Sequence, residues 1–233
     1  MSSSVQRKRI RKDPAARRAE IVAAAAAVAL AEGLECVTLR RIAEELAVRP
    51  GLISHYFPSA EDLVAEAFGS AATGELDRLL PAEHSELDRP LPAEHAVPDR
   101  PLPAERAALT PTGRLARFLA RTSGEEYDAI SRLWINARHL SRYRPVLRDR
   151  VARQEAAWRG RLEGVIRDGV EAGEFATEDP TAVAVQLLVV LDGLGVHANT
   201  ATPERPAAVL RMPLTTAERE LGLRPGTLDE AAG

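Results

Sequence analysis

Apolar residues along the chain recur at three- and four-residue spacing, and no strand-type alternation competes with them. Asp13-Pro14 offers an N-cap followed by proline at the first helical position, and the run that follows ends at Gly33. Thr38 can cap a second helix carrying Leu39, Ile42, Ala43 and Leu46 on one face. A break is expected at Val48-Arg49-Pro50-Gly51, then a short third helix over Leu52 to Phe57. Pro58-Ser59 stops it, and Ser59 with Asp62 resembles a capping box for a fourth. Helix signals resume at Thr110-Pro111, predicting a helix through Ala120, and Ser123 with Glu126 marks another to about Leu140. Pro145 opens a long helix to about Ala172, ended by Gly173, with Leu147, Val151, Trp158, Leu162, Ile166 and Val170 as one stripe. Asp179-Pro180 starts a helix to about Asn199, and Thr215 with Glu218 marks a last short one ending near Gly222. The fold class expected is all-α.

Residues 80–110 break this pattern. LPAEHSELDRP (Leu80 to Pro90) is followed by LPAEHAVPDRP (Leu91 to Pro101) and by a third start, LPAER, at Leu102. Six prolines within the repeat forbid a continuous helix, and the copies are too few and too polar for a solenoid. A duplicated, extended linker is the simplest account. His84 and His95 occupy equivalent repeat positions, but no metal site is expected where the backbone is not fixed.

Composition narrows the field. The chain has 233 residues, 45% of them apolar, enough for a real core, but only 4% are aromatic. Cys36 is the single cysteine, which removes intramolecular disulfides and CxxC chemistry and fits a cytoplasmic setting. The longest uninterrupted apolar run, Ile21 to Ala31, is short and mostly alanine, so no membrane span is expected there. Glu20 and Glu32 bracket it and argue against a secretion signal. Charge is unevenly spread. Residues 1–55 hold ten arginines and lysines against six acidic residues, a surplus of four, while the whole chain carries −3, leaving −7 for the remainder. A basic end on an acidic body fits a polyanion-binding module on a carrier, or merely a solvated basic tail.

The second and third helices decide between these. A helix of about nine residues, a short break and a second short helix is helix-turn-helix spacing. A major groove admits one helix, whose first turns reach base edges while its neighbour braces on the backbone. Thr38, at a helix N-terminus, is placed to bind phosphate through hydroxyl and backbone N–H. Arg40 and Arg41 beside it are either phosphate contacts or a solvated face. The basic arm Arg7 to Lys12 is expected to lie along DNA when bound.

From about Arg17 to Phe68 the sequence resembles the TetR-type transcriptional regulators. The resemblance rests on Ile21, Ala24, Ala25, Gly33, Thr38, Ile42-Ala43, Val48, Gly51, Phe57 and Leu63, with no gaps against the family pattern. GLISHYF (Gly51 to Phe57) is most similar to the choline-responsive, betaine-pathway branch. The resemblance implies that Thr38 contacts phosphate, that Arg49, Gly51, Leu52, Ser54 and His55 face the groove or its edge, and that Tyr56 holds a phosphate. It implies a core of Ile42, Ala43, Val48 and Phe57. There are departures: Ala60 stands where the family usually has a phosphate-clamping lysine, Arg49 where it has a small polar residue, Ala47 where the turn has glycine, and Ala29 where helix one has an aromatic.

The expected organisation is a basic arm at 1–12, a helix-turn-helix domain at 13–58, a connecting helix at 59–79, the linker at 80–110 and an effector-binding and dimerisation domain at 111–233. One such unit reads too few bases, so a homodimer on a palindromic double-stranded DNA operator is expected. Its interface is assigned to the two long helices through Trp158, Leu162, Ile166, Val183, Leu187, Val190, Leu191 and Leu194. Gly160 and Gly164 leave a flat strip for a close approach, either across the dimer or within the subunit. The resemblance implies a small-molecule effector in the helical body that releases a repressor from DNA. Candidate lining residues are Phe118, Tyr127, Trp134, Asn136, Trp158, Gln186 and His197, with Tyr127, Trp134 and Trp158 a conceivable cage for a quaternary ammonium ion. Control by a partner protein, or without a ligand, is the alternative. No catalytic motif, metal site or cofactor is expected: five scattered histidines come without a nucleophile elbow, P-loop, GxGxxG or HExxH.

Overall fold

A computed structural model describes residues 13–82, 110–122, 125–200 and 206–232. The basic arm, most of the proline-rich repeat with both its histidines, and the Ser123 end of the expected capping box lie outside the described residues. Every regular element among the described residues is helical.

Capping sets most boundaries. Asp13 accepts from the Ala16 N–H, Pro14 opens α1 (Pro14–Glu32), and Gly33 closes it at φ 104°, a backbone that glycine adopts without strain. After a single 3₁₀ turn, Thr38 accepts from the Arg41 N–H and starts α2 (Leu39–Glu45). The third helix, α3, spans Pro50–Tyr56, two residues earlier than Leu52. Pro50 begins it because proline's missing N–H costs nothing at a helix's first position. Ser59 caps α4 (Ala60–Leu79) by accepting from Glu61 and Asp62.

The body follows with α5 (Pro111–Arg121), capped by Thr110, then α6 (Glu125–Ser141), α7 (Pro145–Glu171) and α8 (Pro180–Ala198), the last capped by Asp179. Three short helices complete it: α9 (Ala207–Leu210), α10 (Met212–Glu220) and α11 (Thr227–Ala232). Thr215, expected to mark a short helix, lies within α10, three residues after its start. Its hydroxyl donates back to the Arg211 carbonyl inside α10, and Glu218 is buried, accepting from the Gly226 and Leu228 N–H groups. Glu218 thereby ties down α11, an element the sequence reading did not foresee.

Packing joins the three N-terminal helices to the body. α1 lies on α4, α4 on α7, and α7 and α6 on α8. One continuous core runs from Ile21, Ile42, Ile53 and Phe57 through Leu63 and Phe68 into Leu133, Leu147 and Val151. A second core holds Leu115, Phe118, Trp158, Leu162, Ile166, Leu187, Leu191 and Leu228. Tyr127 and Trp134 pack against both and mark their seam.

α8 carries Asp192 as its only charged side chain and is long and apolar enough to cross a membrane by length and composition, a feature that uninterrupted runs alone pass over. Its Val183, Ala184, Leu187, Leu191 and Gly195 are nevertheless buried in the second core or against α6.

Candidate nucleic-acid interface and effector cavity

The outward faces of α2 and α3 form the first candidate site. Thr38 is exposed, and because its oxygen already accepts from the Arg41 N–H at 3.0 Å, its own hydrogen remains to donate outward. Arg49 is exposed at the head of α3, with no side-chain capping bond. A Cβ built on Gly51 would meet nothing, so a nucleic-acid backbone can approach closely there. Ser54 and His55 are also exposed. The Ser54 hydroxyl donates to the Pro50 and Gly51 carbonyls, and the His55 ring meets Tyr56 edge-on at 5.2 Å. Leu52 and Tyr56 are half-buried along the same helix, while Ile53 and Phe57 fill the core behind it. Structure thus places Thr38, Arg49, Gly51, Ser54 and His55 on the solvent face of one helix pair.

The two arginines of α2 differ. Arg40 is 84% exposed and holds only Glu44, a surface pair that water and salt weaken. Arg41 is half-buried, with one guanidinium nitrogen 2.6 Å from Glu32 at the end of α1 and another 2.7 Å from Glu45. These hydrogen bonds raise the Arg41 pKa, and the bond from Arg41 lowers that of Glu32. Arg41 therefore pins α2 to α1.

The turn between α2 and α3 contains the only non-glycine residue with positive φ among the described residues, Ala47 at φ 50°. This is the position where the TetR pattern has glycine. The head is also tied to the body: Asn136 on α6 accepts the Leu34 N–H at 2.9 Å and donates to Glu35. Glu66 on α4 meets Arg18 of α1 at 3.7 Å and accepts from Arg150 of α7. Arg18 also lies 4.8 Å over the Phe57 ring.

The second candidate site is a cleft at the seam of the two cores. Its walls come from α6, α7 and α8 and include Tyr127, Ile130, Trp134, Trp158, Leu188 and Leu191, enclosing about 70 Å³. Three charged groups stand at it. Arg138 lies 5.0 Å from the Trp134 ring centroid, 3.0 Å from Glu155 and 2.9 Å from Asp192. Trp134 in turn meets Phe68 and Trp158 edge-on at 5.0 and 6.2 Å. The Trp158 indole N–H is buried with no hydrogen-bond partner. Gly195 permits the close packing of α8 on α6, since a Cβ there would stand 2.8 Å from the Ser131 side chain. Burial raises the Tyr127 pKa, and the negative charges of Asp192 and Glu75 push it the same way.

Of the seven candidate lining residues, the structure brings together Tyr127, Trp134 and Trp158. Phe118 is fully buried in the second core, Asn136 faces the head, and Gln186 and His197 are exposed. Arg138, Glu155 and Asp192 were missed because they read as ordinary solvated charges. Glu155 and Arg138 lie on different helices, and only packing brings them together.

Most of the assigned dimer stripe is buried within the subunit. Trp158, Leu162, Ile166, Val183, Leu187 and Leu191 are at most 6% exposed, used up inside the subunit; Val190 and Leu194 are half-buried. The residues left outside on α8 are Val185, Val189 and Val196, 41%, 62% and 47% exposed. Among the described residues nothing lies within 4 Å of a Cβ built on Gly160 or Gly164. Among the described residues no group of three His, Cys, Asp or Glu side chains is arranged to hold a metal ion.

Two family models match the sequence. Residues 21–67 match that of bacterial regulatory proteins, tetR family, and residues 111–221 that of the BetI-type transcriptional repressor, C-terminal. No curated protein matches the chain. Among solved structures, a protein from Rhodococcus sp. described as a TetR-family transcriptional regulator superposes with a TM-score of 0.68 at 20% identity, covering 89% of this chain and 99% of that one. A TetR transcription regulator from Haloarcula marismortui gives 0.64 at 20% identity, over 89% and 97%. A transcriptional regulator from Saccharomonospora viridis, solved in complex with choline, gives 0.60 at 22% identity, over 88% and 95%. At these identities the likeness is one of fold.

Proposed function

The chain belongs to the TetR family of bacterial transcriptional regulators, and from that premise we propose that it is a repressor that binds a palindromic operator as a homodimer and leaves it when a small molecule enters the body. What carries this reading is the outer face of α3. Arg49, Ser54 and His55 stand exposed on a helix of seven residues whose other face, Ile53 and Phe57, is locked into the core. A short, rigid helix with its polar side outward is what a major groove accepts. Thr38 and Tyr56 flank it as phosphate contacts, and Arg40 exchanges Glu44 for a phosphate.

Pairing runs through the outer stripe of α8, where Val185 and Val189 are one helical turn apart and Val196 two turns further on. Gln186, Gly193 and His197 are exposed beside them. The cleft beneath Tyr127, Trp134 and Trp158 receives the effector, at the seam where a shift of α6 reaches the head through Asn136. Differential affinity of the effector for two arrangements of head and body drives release. Choline, bound by the Saccharomonospora viridis protein, is the first compound to try. The protein acts in the cytoplasm, where the operator lies.

The test is fluorescence anisotropy on labelled DNA from upstream of the chain's own gene, and on DNA selected from a random library, each with excess competitor. Retained binding with two protomers per site is expected. Binding that competitor abolishes on every DNA, including the selected pool, would overturn the reading.

A further inference from the structure

The cleft at the seam is too small for the occupant its position calls for. Small-molecule sites enclose about 300–1,000 Å³, and this one encloses about 70 Å³. Something must move out before a ligand moves in. The aliphatic and aromatic walls belong to the two cores and cannot move without breaking them. Arg138 differs: its side chain is 37% exposed, and its carboxylate partners Glu155 and Asp192 are 46% and 43% exposed. Water reaches all three, so the pairs exchange readily.

The position of the Arg138 guanidinium is itself informative. It lies over an aromatic face, 5.0 Å from the Trp134 centroid, and between two carboxylates at 3.0 and 2.9 Å. A cation over an aromatic ring with nearby anions is the arrangement by which proteins hold organic cations. The three charged groups sum to −1, so the site without Arg138 carries two uncompensated negative charges. We propose that Arg138 is a built-in stand-in for the effector, and that the effectors are organic cations with an apolar body that displace its guanidinium from Trp134, Glu155 and Asp192. This inference rests on the effector-released regulator described above and names the chemical class its body receives.

Three further observations fit. The Trp158 N–H is buried and unpartnered at the same cleft, a donor that a ligand's polar atom would satisfy. Tyr127 feels the negative field of Asp192 and Glu75 in addition to burial. Arg138 is also two residues from Asn136 on α6, and Asn136 holds the Leu34 N–H and Glu35 at the start of the helix-turn-helix. Freeing Arg138 removes both ionic ties of this turn of α6, to α7 through Glu155 and to α8 through Asp192, next to the residue that grips the head.

Trp134 and Trp158 are the only tryptophans in the chain, so intrinsic emission reports this cleft alone. The experiment titrates the purified full-length protein, without DNA, with benzyltrimethylammonium, benzyl alcohol and benzoate. Saturable quenching by the cation and at least tenfold weaker binding of the other two are expected. Arg138→Gln should tighten cation binding at least tenfold, and the Glu155→Gln, Asp192→Asn double variant should weaken it at least tenfold. The two changes act in opposite directions, so general damage to the fold cannot produce both. If Arg138→Gln does not fold, the carboxylate double variant alone decides by its tenfold loss. Benzoate binding that disappears in Arg138→Gln would show Arg138 to be an anion-binding arm and overturn the proposal. Cation affinity unchanged by either variant would overturn it too. Cation binding as expected, in a protein that binds no selected DNA, would sustain this proposal and remove the regulatory reading instead. Specific DNA binding without cation binding would do the reverse.

Discussion

Arg49 and Arg138 present the same group in opposite states. Arg49 stands at the head of α3, exposed, with its helix's backbone fixed by Pro50 and its own cap position. Arg138 is laid across Trp134 and closed between Glu155 and Asp192. In the head, Arg49, Ser54 and His55 already face outward. In the body, the charged groups are already paired with one another. A surface built to bind at any moment needs unpaired charge on rigid backbone. A site built to respond needs an internal competitor that sets a threshold, because only a ligand that outbids it shifts the equilibrium.

The largest expected effect tests the head. Arg49→Ala with His55→Ala should lower affinity for selected DNA by about 100-fold or more, since each base or groove contact contributes about 1–3 kcal/mol. The melting temperature should stay within a degree or two, because neither side chain enters the core. A large fall in melting temperature with unchanged DNA affinity would show that these residues serve the fold and not the groove. The complementary change in the body is Gly195→Val. Its Cβ would be 2.8 Å from the Ser131 Cβ and Oγ, so α8 must move off α6. Overpacking of this kind costs about 1–3 kcal/mol. Chemical denaturation should show that loss, and the Trp emission should change with it while the outer face of α3 is untouched. Unchanged emission would mean that α6 and α8 do not set the cleft.

A related change tests pairing. Val189→Glu puts a charge in the middle of the outer α8 stripe, at a residue 62% exposed in the subunit. Sedimentation should show a monomer that keeps its helical content and loses specific DNA binding. A dimer that survives the change would move the interface to another face.

The two regions also differ in how far the sequence revealed them. In the head the information is local. Asp13, Thr38 and Ser59 each fix a helix start by accepting from backbone N–H groups two or three positions on, Pro14 and Pro50 are first helical residues that need no such bond, and of the expected core Ile42, Ala43 and Phe57 are buried while Val48 is half-buried. In the body the long helices were equally legible at Pro145 and Asp179-Pro180, but their faces were not. Trp158, Leu162 and Leu187 form a strong apolar stripe, and periodicity does not say whether a stripe faces its own subunit or a second one. The weaker stripe of valines at 185, 189 and 196 is the one left outside. The Arg138, Glu155, Asp192 cluster joins three helices across 54 positions, a juxtaposition that exists only after packing. Glu218 is similar: with Thr215 it marks a short helix in the sequence, whereas its burial beneath α11 shows only in the fold.

Asn136 lies where the two regions meet, and its removal separates stability from coupling. Asn136→Ala takes the acceptor away from the Leu34 N–H, next to a side chain that is fully buried. An unsatisfied backbone donor costs about 1–3 kcal/mol, toward the lower end if water enters. Benzyltrimethylammonium should still quench the tryptophans of this variant with its wild-type affinity. Its effect on DNA affinity should shrink several-fold. Full retention of that effect would mean that the signal reaches the head by another route, of which the Arg18, Glu66 and Arg150 junction between α1, α4 and α7 is the structural alternative.

The smallest effect concerns the turn that aims α3. Ala47 holds φ 50° without the hydrogen-bonding side chain that lets asparagine or aspartate tolerate such a backbone. That conformation costs an alanine roughly 1–2 kcal/mol. Ala47→Gly removes the cost but returns about 0.5–1 kcal/mol of backbone entropy to the unfolded chain. The net gain should therefore be small, about 0.5–1 kcal/mol, read as a higher midpoint in urea with an unchanged slope. Operator affinity should change by less than twofold, because Pro50 and the buried Ile53 and Phe57 still fix α3. A clear loss of affinity in the stabilised variant would show that the strained turn itself holds α3 at its reading angle, and that the head gives up stability there to keep its aim.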